Sequence, residues 1–152
     1  MERALDMMIE EEGCEEKIAA LTYQDWAPLL ALIPEIEKTT TFHEVSKEKA
    51  DKNGVKILSY PIPVPIVDEF QRIVYEIPIA IKFYWAGWDE GRAMAGDSDF
   101  DFDSTTLVNK CKLITAIVRN DRFCAGALAS AFESGLILKI LKSIEKSVTE
   151  GK

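Results

Sequence analysis

A cluster of strong hydrogen-bonding groups lies in the most core-like segment of the chain, AIVRNDRFCAGALASAFESG, residues 116–135. The candidate polar site consists of Arg119, Asp121, Arg122, Glu133 and Ser134. A buried arginine without an anionic partner is too costly to persist, so each arginine should meet a carboxylate or a phosphate. We favour an ion-pair network within the chain or between subunits. The alternative is a site that binds a small phosphate or carboxylate in an arginine fork.

Other residue patterns exclude several kinds of chemistry. Asp97, Asp99, Asp101 and Asp103 alternate like calcium ligands, but neither register supplies the glycine and the final glutamate of an EF-hand loop. We expect these acids to favour the positive end of the following helix. His43 is the single histidine, which excludes a metal site of several histidines. Phosphate-binding glycine motifs, C-x-x-C and G-x-S-x-G are absent from the sequence, so we predict no metal and no cofactor.

The three cysteines indicate a reducing compartment. Cys14, Cys111 and Cys124 are odd in number and widely spaced, which does not suit a disulfide framework. Cys111 lies on the apolar face of a predicted helix and is expected to be a buried thiol. A reactive thiol at Cys124 is a weaker alternative.

The tryptophans are mainly expected to be core residues. Trp26 is in phase with the apolar face of a predicted helix. Trp85 and Trp88 lie three positions apart beside Gly87, so one of them could line a pocket, although core packing is favoured.

The segments that must position the polar and aromatic side chains mostly show the periodicity of helices. The first clear helix covers residues 22–38, where Thr22 and Asp25 have capping-box spacing and either could be the N-cap. Pro34 should kink or end this helix. Further helices are predicted at residues 66–77, 105–120, 122–134 and 136–148.

The connection between the two helices that carry the polar cluster has its own signals. Asp121 is predicted to cap the helix at 122–134, with Asn120 supplying a left-handed turn before it. Gly135 should end that helix. Its many small residues would let another backbone approach closely.

These signals predict a mainly α-helical fold in a single domain, residues 1–152, with five or six helices. A minor extended or short β segment is expected at 56–60, and a second one at 79–83 is an open alternative. Residues 1–20 should form at most a weakly ordered helix.

Charge and hydropathy limit the kinds of partner that the protein is expected to bind. The net charge of −8 argues against nucleic-acid binding, and no apolar run reaches the length of a membrane span. Residues 1–104 contain 10 Lys/Arg against 22 Asp/Glu, whereas residues 105–152 contain 8 against 4. The basic C-terminal part could attract an anion or hold the two parts together. With no signal-peptide pattern at the N-terminus, a cytoplasmic location is expected.

The segment AIVRNDRFCAGALASAFESGLILKIL resembles the C-terminal signature of a family of small prokaryotic proteins of unknown function, I-R-x-D-R-F-C-x-G-x-L-A-x-x-x-E-S-G-x-I-x-x-I-L. The similarity extends more loosely over LTYQDWAPLLALIPEIE and FYWAGWDEGRAMA, where Tyr84-Trp85 replaces an Asp-Trp pair. The resemblance implies that Phe123, Cys124 and Gly126 belong to the same shared pattern as the polar cluster. It implies no activity.

We expect a non-enzymatic interaction protein that forms a homo-oligomer. One alternative is an enzyme or sensor that binds a small anion at Arg119, Asp121 and Arg122, with Glu133 as an acid or base. A second alternative is an acidic regulator that binds a basic protein partner through the glutamates near the N-terminus. An open pocket with arginines unsaturated by protein carboxylates would favour anion binding over oligomerisation.

Overall fold

The computed structural model describes residues 8–39, 43–45, 49–50, 56–57, 61–77, 79–97, 99–121, 124 and 126–150. These residues form a mainly helical fold, which confirms the predicted fold class. The described helices are α1 (Cys14–Ala19), α2 (Tyr23–Leu30), α3 (Ile33–Lys38), α4 (Pro65–Glu76), α5 (Asp89–Gly96), α6 (Leu107–Asn120), α7 (Ala127–Glu133) and α8 (Leu136–Glu150). Two 3₁₀ turns cover Trp85–Gly87 and Phe102–Ser104.

The described strands are short and pair two by two. They are β1 (Ile9–Glu10), β2 (His43–Val45), β3 (Lys49–Ala50), β4 (Lys56–Ile57), β5 (Pro61–Pro63) and β6 (Ile81–Lys82). β1 runs parallel to β6, whereas β2–β5 and β3–β4 are antiparallel pairs. Both predicted extended segments therefore contain a strand, although residues 58–60 lie outside the described part. His43 belongs to β2.

The N-terminal segment differs from the weak helix predicted for residues 1–20. The Ile9 N–H donates to the Ala80 carbonyl at 2.8 Å, so this stretch joins β6 instead of continuing as helix. Gly13 then adopts φ 81°, and α1 begins only at Cys14. A residue in the left-handed conformation changes the direction of the chain, and glycine adopts this conformation without a Cβ clash. Residues 1–7 lie outside the described range.

The first predicted helix is divided in two. Thr22 is the N-cap of α2, and the capping box is complete: the Thr22 hydroxyl accepts the Asp25 N–H at 3.3 Å and the Asp25 carboxylate accepts the Thr22 N–H at 2.8 Å. α2 ends at Leu30, and Pro34 falls in the first turn of α3, where it has no amide hydrogen to lose. This division and the unforeseen α5 raise the described helices from the predicted five or six to eight.

The core is built around α8, which contacts α2, α3, α6 and α7. Its inward residues Ile137, Ile140, Leu141 and Ile144 are completely buried, and Trp26 is buried as predicted. Each buried aliphatic side chain contributes roughly 1.5–3 kcal/mol, so this packing holds α6 and α7 in place. None of the helices in the described part combines the length and apolar character that crossing a membrane requires.

Candidate functional site

The polar cluster lies where α6 ends and α7 begins. Asn120 is the last helical residue of α6, and positive φ angles in the described ranges occur only at glycines. The prediction of a left-handed turn at Asn120 is therefore wrong. Gly126 supplies that conformation with φ 88°, because a residue without a Cβ adopts it at little cost.

The N-cap of the helix that follows is Gly126, so the prediction that Asp121 caps it is wrong; Asp121 ends α6 but still contacts the next helix through its side chain. Its carboxylate accepts the Leu128 N–H at 3.0 Å, inside the first turn of α7. Because α7 begins at Ala127, the helix predicted from Arg122 onward starts later than expected. Arg122 and Phe123 lie outside the described residues. At the other end, Gly135 adopts φ 85° and ends α7 as predicted.

Arg119 occupies the last turn of α6, and its Nη1 atom is buried with no hydrogen-bond partner among the described residues. The nearest acid in sequence, Asp121, is already bonded to the Leu128 N–H. Trp26 Nε1 is also buried without a partner, but that group is neutral. Leaving a donor of a cation unsatisfied costs more, so Arg119 is the position that most needs an acceptor.

Glu133 and Ser134 lie at the far end of α7, roughly 9 Å from its start at about 1.5 Å per residue. Both residues are exposed, and the Ser134 hydroxyl donates to the Ala131 carbonyl at 3.2 Å. Across the described chain, no ion pair joins Glu133 to Arg119. The fold therefore leaves the two described ends of the predicted cluster without a direct link.

A groove of about 200 Å³ opens between α5, α6 and the 3₁₀ turn that precedes α5. Trp85 and Trp88 both line it, although the sequence favoured core packing for them. Both indoles are only half-buried. Asn120, at the end of α6, is also part of the lining.

The position of Trp88 is set by its neighbours. Its ring meets the edge of the Phe83 ring at 5.5 Å between centroids. On the other side it lies so close to Gly91 that a Cβ there would overlap the indole. The groove wall is therefore preorganised by a glycine whose role the sequence did not reveal.

A second polar group, which the sequence analysis missed, joins α6 to α8. Lys110 is 1% exposed, and its Nζ donates to Ser147 Oγ at 3.2 Å and to the Ser143 carbonyl at 3.5 Å. Burial lowers the pKa of this ammonium, and nearby Asp103 partly opposes the shift. Lys110 lies three positions after Leu107 on the apolar face of α6. This spacing could have indicated from the sequence that the lysine is buried.

Asp103 binds α8 instead of the start of α6. Its carboxylate accepts the Ser143 hydroxyl at 2.6 Å and the Lys146 ammonium at 3.2 Å. These two contacts, the serine first, lower the pKa of Asp103. The N-cap of α6 is Thr106, so Asp103 makes its hydrogen bonds to α8 while it lies three positions before that cap. Within the described ranges, no group of three or more potential metal ligands occurs.

The cysteines are free thiols. Cys111 is completely buried, as predicted, and burial raises its pKa, with Cys14 adding to the shift. Cys124 is exposed between the two helices of the polar cluster.

The sequence model of a family of unknown function (DUF6508) matches residues 21–150. The chain belongs to this family. The result confirms the resemblance to a family without an assigned function. The matched DUF6508 region includes the Arg119 turn, the aromatic groove and the Lys110 group. No curated protein and no solved structure matches the chain.

Proposed function

We propose that this DUF6508 protein binds a small phosphate or carboxylate, with Arg119 as its anchor. The observation that carries the proposal is the buried Nη1 of Arg119, which has no acceptor among the described residues. A ligand oxygen would satisfy this donor, for which the described residues supply no acceptor. The excess of Lys/Arg over Asp/Glu in residues 105–152 favours an anion at this end of the molecule.

The remaining members of the predicted site take secondary roles in this proposal. Arg122 stays a member of the candidate site from the sequence alone, three positions after Arg119. Asp121 holds the start of α7 in position through Leu128. Glu133, with Ser134 beside it, is kept as the candidate acid or base.

The test is thermal denaturation of wild type and Arg119→Gln in a panel of inorganic phosphate, nucleotides and simple carboxylates. We expect at least one anion to raise the wild-type Tm, and Arg119→Gln to bind it at least tenfold more weakly, because a charged hydrogen bond is lost. Arg72→Gln is the matched control, since Arg72 is exposed and paired with Glu76. It should bind the anion like wild type.

Two results would contradict the proposal. One is a wild-type Tm that no anion in the panel shifts. The other is an Arg119→Gln protein that folds and binds the anion as tightly as wild type. If Arg119→Gln does not fold, Arg119→Lys replaces it, because lysine keeps the charge and loses the planar fork.

Homo-oligomerisation is the second candidate, supported by one surface feature. Tyr84 is 80% exposed, and its ring lies against Gly87, where a Cβ would overlap it. An aromatic side chain held on the surface in this way suits an interface. Sedimentation should give a mass above that of one chain for wild type and a smaller mass for Tyr84→Ser. A monomeric wild-type protein would rule this candidate out.

The cellular location, the origin and a regulatory role of the protein are also proposals. A cytoplasmic location is supported by the free thiols of Cys14, Cys111 and Cys124. A prokaryotic origin rests on the sequence resemblance. An acidic regulator is less well supported, because Glu10 and Glu11 already pair with Lys82 and Lys112 of the same chain.

A further inference from the structure

We infer that the groove between α5 and α6 is a second, separate binding site, which takes a planar heteroaromatic ring with a hydrogen-bond donor and acceptor on one edge. This inference does not depend on Arg119. It rests on the two indoles that line the groove, on the glycine that positions one of them, and on the amide of Asn120.

The walls of the groove suit a flat ring. Trp85 and Trp88 line it, and Leu113, Ala116 and Ile117 of α6 add an apolar surface. Indole faces favour the faces of other aromatic rings, and stacking between a base and an aromatic side chain tolerates many ring types. The contacts of Trp88 with Phe83 and Gly91 hold its indole in place before any ligand arrives.

The polar end of the groove narrows the ligand class. Asn120 lines the groove, and its side chain is half-buried there. An amide offers a carbonyl acceptor and an NH₂ donor side by side. Its complement is a ring edge with one donor and one acceptor, which is the pattern by which asparagine recognises adenine.

Arg92 is the charged residue among those that line the groove, and it contacts two neighbours of the same chain. One Nη2 hydrogen of Arg92 is donated to the Ala86 carbonyl, which ties α5 to the 3₁₀ turn. Its Nη1 lies 3.7 Å from Asp89. Most of the lining is apolar, which suits the faces of a neutral ring.

The size of the groove limits the ligand further. About 200 Å³ is below the roughly 300–1,000 Å³ of pockets that hold drug-sized ligands. It suits one ring system, so a sugar or a longer chain attached to the ring would extend into solvent.

The experiment is a titration of the full chain with adenine, followed by heteronuclear NMR. We expect the indole N–H signals of Trp85 and Trp88 and the side-chain amide of Asn120 to shift, while the buried Trp26 signal stays unchanged. Indole has a hydrogen-bond donor without an acceptor and should bind to wild type about tenfold more weakly than adenine does. Adenine should bind to Asn120→Leu about tenfold more weakly than to wild type. Inorganic phosphate should leave these signals unmoved, which separates this site from the one at Arg119.

A matched pair of glycine variants tests the preorganised wall. In Gly91→Ala the new methyl group overlaps the Trp88 ring and should weaken adenine binding about tenfold. Gly96→Ala lies in the same helix and meets nothing within 4 Å, so it should bind adenine like wild type. Circular dichroism confirms that both variants fold, and Trp88→Leu replaces Gly91→Ala if that variant does not.

Any of three results would overturn the inference. The first is that adenine leaves the signals of Trp85, Trp88 and Asn120 unchanged up to its solubility limit. The second is that the variants Gly91→Ala and Gly96→Ala bind adenine equally well. The third is that indole binds as tightly as adenine, which would make the groove a general apolar surface.

Discussion

Replacing Lys110 with methionine should raise the free energy of unfolding at neutral pH by about 1 kcal/mol. Lys110 is 1% exposed, and its ammonium has no carboxylate within ion-pair distance in the described part of the chain. Methionine keeps most of the volume and removes the buried charge. It leaves no acceptor unsatisfied, because the Ser143 carbonyl also accepts the Ser147 hydroxyl at 3.1 Å. Lys110→Ala should instead destabilise by about 3 kcal/mol, since it leaves a cavity.

The pH dependence identifies the charge as the cause. Folding holds the pKa of Lys110 below its ordinary value of 10.5, so the unfolded chain binds this proton more tightly. Wild-type stability therefore rises with pH over the interval that ends near 10.5. Methionine does not titrate, so the difference in unfolding free energy between Lys110→Met and wild type should shrink over the same pH interval.

Urea denaturation of wild type, Lys110→Met and Lys110→Ala between pH 7 and about 10 measures these differences. Lys17→Met is the control, because Lys17 is exposed and its replacement should change stability by less than about 0.5 kcal/mol. A Lys110→Met protein less stable than wild type at every pH would show that the buried ammonium stabilises the fold.

Replacing Thr115 with valine should lower the free energy of unfolding by about 2 kcal/mol. The Thr115 hydroxyl accepts the Ile81 N–H at 3.1 Å and donates to the Cys111 carbonyl at 2.8 Å. Valine has nearly the same shape, so packing is kept while the buried Ile81 N–H loses this acceptor. The effect should include faster hydrogen exchange at Ile81, because this bond joins β6 to α6.

Thr149→Val is the matched control for Thr115→Val. The Thr149 hydroxyl donates to the Glu145 carbonyl at 2.8 Å, which is the same kind of bond within a helix, but Thr149 is exposed. Its replacement should stay within about 0.5 kcal/mol of wild type. Equal effects of the two substitutions in urea denaturation would mean that the contact with β6 adds nothing to stability.

Part of the candidate site could be predicted from the sequence. Asp121 was expected to bind the start of the next helix, and its carboxylate does accept the Leu128 N–H, although Gly126 and not Asp121 is the N-cap. The sequence did not reveal that the helix starts only at Ala127, because Gly126 takes the left-handed conformation assigned to Asn120. Asparagine and glycine are both common at such positions, and the surrounding fold chooses between them.

The aromatic groove shows a different limit. The spacing of Trp85 and Trp88 indicated that one could line a pocket, and both do. Asn120 and Gly91 carry no local signal for that role, since they come from different helices. Only the packing of α5 against α6 brings them together.

By itself, the sequence determined the helices with strong periodicity and their local caps, such as the box of Thr22 and Asp25 and the stop at Gly135. These features depend on contacts between residues a few positions apart, which periodicity and capping chemistry express directly. The tertiary structure alone decided the pairing of β1 with β6, the burial of Arg119 Nη1 without an acceptor among the described residues, and the groove. Each of these depends on which distant segments meet, and the free energy of that choice is shared over the whole core.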